Sequence, residues 1–309
     1  MAGRRALTRR MKAILAPALF GLAACTALAG QGSARPLRVV TLSTVLAEIA
    51  REVGGREAAV VNLVQPGVDP HTFNPSPAEI RTLIDADLVL ASGLGIEGYL
   101  GRLVASVGTR GRVVAVGDAL PAVIWMNRAG TGGERDPHWW NSVDNMLIAS
   151  GLVSAELARA RPESAGEFER NALAYGRRLS ALKAWAAAEI AALPPARRQL
   201  VTSHDAFGYF ARDYGFAVHS INGLSSESEA DAKHLAGLID LIRRERIRAV
   251  FAESSANPRL VANLIGETGV RLGGTLYADG LGPAGSGAES YEAMYRHNVL
   301  AIVGALAGP

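Results

Sequence analysis

Four residues of this 309-residue chain have side chains and settings suited to holding a metal ion: His71 in VDPHTFNPSPAEI, His138 in RDPHWWNS, His204 at the end of LVTSH and Asp279 at the end of GTLYAD. Three imidazoles and one carboxylate make a closed tetrahedral set suited to Zn²⁺, with no position left for a catalytic water. The same set can take Mn²⁺ or Fe²⁺, since site affinity follows geometry and availability as well as ligand type. Manganese is better served by more oxygen ligands, so three histidines favour zinc. Pro70, Pro75 and Pro77 stiffen the loop around His71, because each ring fixes φ at about −65°.

Singly, each residue has a plainer reading. A histidine after a strand is more often a surface or capping residue than a ligand, and an aspartate before Gly280 sits where turn formers sit. Asp205 reads as the cap of the helix beginning DAFGYF. Trp139 and Trp140 pack either around the mouth of a cleft or in the core. His219, His234 and His297 read as structural. What lifts the metal reading above these is the joint placement of the four.

That placement comes from alternating strand and helix signals. LRVVTLS (37–43), AAVVNLV (58–64), DLVLASG (87–93) and RVVAVG (112–117) are predicted strands. A helix is predicted over TVLAEIAREVGG, and another is opened by Ser76 at its N-cap and Pro77 at its first position. RQLVTSH (198–204), FAVHSI (216–221), RAVFAES (248–254) and VRLGGTLYA (270–278) continue the pattern. Helices over DAFGYFARDYG, EADAKHLAGLIDLIRRER and NPRLVANLIGETG lie between them, and ESYEAMYRHNVLAIVGAL closes the chain.

Such alternation implies largely parallel sheets covered on both faces, and ligands bind at the carboxyl ends of their strands. Each of the four candidates follows a strand, two in each half. Between the halves, Phe168, Ala172, Tyr175, Leu179, Leu182 and Ala186 recur at spacings of three and four. They predict one helix over 163–193, about 40 Å long from 165 to 193 and ended by Pro194-Pro195. The fold class expected is α/β: two lobes of parallel sheet flanked by helices, joined by one long rigid backbone helix. The lobes are placed at 36–142 and 196–309, with a helical segment at 143–195.

The first 29 residues are of another kind. MAGRRALTRRMK has five basic residues and no acid, and the apolar run AILAPALFGLAA follows. That is the pattern of an export signal, too short for a membrane span. Leu22-Ala23-Ala24-Cys25 matches a lipobox, which would put a lipid on Cys25, the only cysteine. Ala27-Leu28-Ala29 matches a signal-peptidase site, which would release a soluble protein. Both readings place the mature protein in the periplasm, outside the inner membrane. Without residues 1–29 the chain keeps 27 basic and 29 acidic residues, a net charge of −2. This removes the electrostatic case for a nucleic-acid partner. No later segment is apolar for long enough to be a transmembrane span.

GVDPHTFNPSPAEI, RDPHWW, SHDAFGYFARDYGF and LYAD, in that order, resemble the ligand motifs of the periplasmic solute-binding proteins of zinc/manganese ABC importers, the cluster A-I type. GLSSESEADAKHLAGLIDLIRRERIRAVFAE is similar to the family's stretch between the last two ligands. The resemblance covers essentially the whole mature chain. It implies metal bound between two lobes by His71, His138, His204 and Asp279. It also implies delivery to an ABC permease of the inner membrane, with a periplasmic metallochaperone as a conceivable supplier. His204 resembles zinc-leaning members, where manganese members often carry Glu. Two features depart from the pattern: Ser142-Val143 stands where the family usually has Asp-Pro, and NRAGTGGERD replaces a long His- and Asp-rich loop.

The expected function is capture of Zn²⁺ for an ABC permease, with a manganese or iron importer protein as the competing reading. A zinc metalloenzyme is disfavoured, since the chain has no H-E-x-x-H pattern and four protein ligands leave no open position. An adhesin role, said of some relatives, has no signal for or against it. Binding needs neutral histidines, so affinity is expected to fall below about pH 6. Release is expected through small lobe shifts or movement of one ligand loop.

Overall fold

The structure, a computed structural model, describes residues 35–126, 133–225 and 232–308. The expected export signal with Cys25, and most of NRAGTGGERD, lie outside them. The first half runs β1 (Leu37–Thr41), α1 (Thr44–Gly54), β2 (Ala58–Asn62), α2 (Pro77–Ile84), β3 (Leu88–Ala91), α3 (Leu100–Val107) and β4 (Arg112–Ala115). Its strands form a parallel sheet in the order β2-β1-β3-β4. The inner strand β3 is buried throughout, which is why LVLA reads as a continuous apolar run, whereas the edge strand β2 alternates. Ser43 caps α1 by accepting from the Leu46 N–H. Ser76 and Glu79 form a reciprocal capping box on α2, with Pro77 at its start.

A hairpin of two short strands follows, β5 (Trp125–Met126) and β6 (Glu134–Arg135), and then α4 (Val143–Ala160) and α5 (Ala165–Ala191). Helix α5 is the long helix expected from the apolar spacing. Phe168, Tyr175, Leu179, Leu182 and Ala186 are fully buried along it, and Ala172 partly so. The break before α5 falls at Arg161, whose backbone leaves the helical region ahead of Pro162. At the other end of α4, Ser142 is the N-cap and accepts from Asn145 N–H, so the Ser-Val departure still starts a capped helix.

The second half runs β7 (Gln199–Thr202), α6 (Gly208–Tyr214), β8 (Ala217–Ser220), α7 (Ala232–Glu245), β9 (Ala249–Glu253), α8 (Pro258–Thr268), β10 (Arg271–Leu276) and α9 (Tyr291–Ala307). Its parallel sheet, read from the β8 edge, is ordered β8-β7-β9-β10. In both halves the second strand lies outside the first, and the third and fourth lie on its other side. Both sheets therefore reverse direction of winding beside their first strand, the position where open α/β sheets bind ligands. Among the described residues, no helix is long and apolar enough to cross a membrane.

One apolar core runs through both halves, from Leu37 in β1 through α1, α4 and α5 to Leu306 in α9. A hinge that parted the halves widely would expose this shared core to water. Smaller clusters lie under α2 in the first half and under α7 and α8 in the second.

One buried acid in the first half sets a pH dependence of stability. Glu97 accepts the Ser92 N–H at 2.6 Å and the Gly93 N–H at 3.0 Å, and burial pushes its pKa up from 4.5 to about 7. Its folded pKa lies above its unfolded one, so its contribution is fully present below pH 4.5 and is lost as pH rises through 7. The slope in between is about 1.4 kcal/mol per pH unit. Glu97→Gln is expected to flatten that slope in urea unfolding between pH 4.5 and 8; an unchanged slope would contradict the assignment.

Candidate metal centre

The two D-P-H sequences fold into the same bend. In the loop between β2 and α2, Asp69 Oδ1 accepts the His71 N–H at 2.8 Å. After β6, Asp136 Oδ1 accepts the His138 N–H at 2.9 Å. The intervening proline has no N–H to compete, so the aspartate fixes the histidine two residues on. Asp136 does more: it also takes His138 Nδ1–H at 2.8 Å, which leaves Nε2 as the free acceptor nitrogen.

The second half supplies its pair from strand ends. His204 lies two residues past β7, where Glu253, the last residue of β9, accepts its backbone N–H at 3.1 Å and bonds its Nδ1. Asp279 lies three residues past β10, and its Oδ2 accepts the Ser255 hydroxyl. The preceding carbonyl, Ala278 O, accepts Trp140 Nε1–H at 2.7 Å and Asn141 Nδ2–H at 3.2 Å. Just beyond, Leu281 N–H donates to Thr44 Oγ1 at 2.8 Å. A Cβ at Gly280 would come within 2.4 Å of that oxygen, so only glycine lets this segment pass α1.

These anchors bring the four candidates together. His138 Nε2 lies 3.1 Å from His71 Nε2 and 3.3 Å from His204 Nε2. Asp279 Oδ1 lies 3.2 Å from His204 Nε2, 3.5 Å from His138 Nε2 and 3.8 Å from His71 Nε2. That oxygen is buried without a hydrogen-bond partner. Their side chains are 10% exposed at His71, 0% at His138 and His204, and 3% at Asp279.

Burial pushes the His138 pKa down against the pull of Asp136. Burial opposes the charge on His204 too, but the Asp279 and Glu253 carboxylates outweigh it and hold its pKa well above the ordinary value. Asp279 is held well below the usual carboxylate range: burial works against its ionised form, and His204, His71 and His138 overcome it.

Several expectations change. His138 does not follow β4 directly; the β5–β6 hairpin delivers it. Trp139 and Trp140 are 0% and 1% exposed and belong to the core, not to a cleft mouth. Asp205 does not cap α6, which begins at Gly208 with Phe207 as N-cap. His219, His234 and His297 are engaged elsewhere, by Gln199, Ser220 O and Thr275 O. Sequence reasoning missed Asp136 and Glu253. The repeated D-P-H was a usable signal for the first. Glu253 had none, because its partner comes from another strand 49 residues away.

Residues 39–305 match the family model described as zinc-uptake complex component A, periplasmic. The chain belongs to this family. It is a metal-binding substrate-binding protein of ABC importers, not an enzyme. The manganese-binding lipoprotein MntA of Bacillus subtilis (strain 168) is 37% identical over 296 residues, covering 94% of this chain and 96% of MntA. The iron-binding protein YfeA of Yersinia pestis is 32% identical over 250 residues, covering 81% of this chain and 79% of YfeA. The solved structure of the periplasmic zinc-binding protein TroA from Treponema pallidum matches with a TM-score of 0.82 at 33% identity, covering 88% of this chain and 99% of TroA. The zinc-uptake family fold, two parallel sheets with a long helix between lobes, is the fold seen here.

Proposed function

We propose that this protein captures Zn²⁺ between lobes 36–142 and 196–309 and passes it to an ABC permease, with His71, His138, His204 and Asp279 as the ligands. The observation that carries this is the spacing of the four ligand atoms. Zinc bonds of about 2.0–2.1 Å in a regular tetrahedron require corners about 3.3–3.4 Å apart. Five of the six separations, 3.1, 3.2, 3.3, 3.5 and 3.8 Å, bracket that edge, and all four atoms lie within 4.8 Å of one another. Three nitrogens and one oxygen suit zinc better than manganese. His71 is the most accessible of the four, which supports movement of its loop as the step that frees the ion.

Export would leave the protein in the periplasm, either tethered by a lipid on Cys25 or free after cleavage behind Ala29. The lipoprotein MntA supports the tether. MntA also keeps manganese as the second reading, at 37% identity. In vitro affinity alone separates the two poorly, since most sites bind zinc more tightly than manganese. The test is growth of cells lacking the protein in chelator-limited medium. Rescue by added zinc and not by manganese is expected; rescue by manganese alone would overturn the zinc reading.

Glu253→Gln is expected to weaken zinc binding about 10–100-fold, because the His204 ring loses its anionic anchor. Competition against a chromophoric chelator measures it, and an unchanged affinity would show that Glu253 does not tune the site.

A further inference from the structure

We infer that Ser255 is a specificity-determining positioning residue, whose hydroxyl keeps Asp279 bound to metal through one oxygen and thereby holds the site at four ligands. The inference rests on the reading of His71, His138, His204 and Asp279 as ligands. Asp279 divides its two oxygens: Oδ1 faces the three Nε2 atoms with no hydrogen-bond partner, and Oδ2 accepts from Ser255 Oγ.

The topology explains why Ser255 is placed to do this. Strand β9 lies between β7 and β10 in the sheet, so its carboxyl end is flanked by the ends that deliver His204 and Asp279. Glu253 turns to one side and holds His204; Ser255, two residues on, turns to Asp279. The short stretch is itself fixed, by Ser254 N–H to Leu276 O at 3.0 Å and by Ala256 N–H to Glu253 O at 3.3 Å. Three consecutive residues therefore orient both ligands of the second half.

Without the hydroxyl, Oδ2 becomes an unsatisfied acceptor on a buried carboxylate, which is costly. The crevice beside it, lined by Gln65, Gly67, Val68 and Gly280, is narrow. The metal ion is then the nearest positive partner, and a second metal–oxygen bond raises the coordination number from four to five. Additional oxygen ligation suits manganese and gives up the tetrahedral geometry zinc takes.

The test compares metal-stripped wild type, Ser255→Ala and Ser255→Thr. Zn²⁺ and Mn²⁺ affinities are measured by chelator competition, and the visible absorption of bound Co²⁺ reports coordination number. Ser255→Ala should raise the Mn:Zn affinity ratio about 10-fold or more and weaken the cobalt band as tetrahedral geometry is lost. Ser255→Thr, which keeps the hydroxyl, should match wild type in both. A Ser255→Ala protein with the wild-type ratio and cobalt band, or one that loses both metals by the same factor, would overturn the inference. Full zinc affinity in Asp279→Asn would instead overturn the ligand assignment beneath it.

Discussion

Replacing His138 with alanine is expected to lower zinc affinity by about two to three orders of magnitude. Four-ligand zinc sites in small peptides bind with about 10–16 kcal/mol, so one ligand is worth roughly 3 kcal/mol, or a factor of 10²–10³. Of the four proposed ligands, His138 is where the largest loss is expected, because its Nε2 lies within 3.1–3.5 Å of the other three candidate ligand atoms. Its removal also strips Asp136, a fully buried carboxylate, of the imidazole that bonds it. The remaining oxygen of Asp136 already lacks a partner. Chelator competition at neutral pH measures the change; an affinity within threefold of wild type would remove His138 from the site.

The largest effect on stability is expected at Trp140. Its ring is 1% exposed and stands edge-on to Trp139 at 5.7 Å and to His138 at 5.6 Å. Its Nε1–H bonds Ala278 O at 2.7 Å, and Tyr291 donates its hydroxyl to Trp140 O at 2.7 Å. The residue thus ties the segment carrying His138 to the one carrying Asp279 and to the start of α9. Trp140→Ala should cost about 3–5 kcal/mol, the usual range for deleting a buried aromatic ring. Urea unfolding of the metal-free protein at fixed pH is the measurement. A cost below 1 kcal/mol would return Trp140 to the cleft mouth and contradict its place in the core.

Much of this architecture could be read from local signals. LVLA is legible as an inner strand because burial on both faces makes it apolar without alternation, and in LRVVT only the exposed Arg38 interrupts the apolar run. Phe168, Tyr175 and Leu179 mark α5 through their helical spacing. The predicted strand 37–43 ran two residues too long because Ser43 spends its side chain capping α1, which apolar patterning does not show. The β5–β6 hairpin was illegible, since strands of two residues have no period to detect.

The four candidate ligands were legible through a general rule about strand ends, and the family resemblance supplied their joint role. What local sequence could not show was the layer that aims them. Glu253 meets His204 only because β9 sits beside β7, and Ser255 meets Asp279 only because β10 lies on the other side. The shared winding of the two sheets escaped notice for the same reason. It is a property of strand order, and no repeated sequence records it.

The most direct test of a four-ligand zinc site is X-ray absorption at the zinc edge of the zinc-loaded protein. The account predicts a first shell of four nitrogen and oxygen neighbours at about 2.0–2.1 Å, with the outer-shell scattering of three imidazoles. A shell of five or six light atoms, or scattering from fewer than three imidazoles, would contradict it.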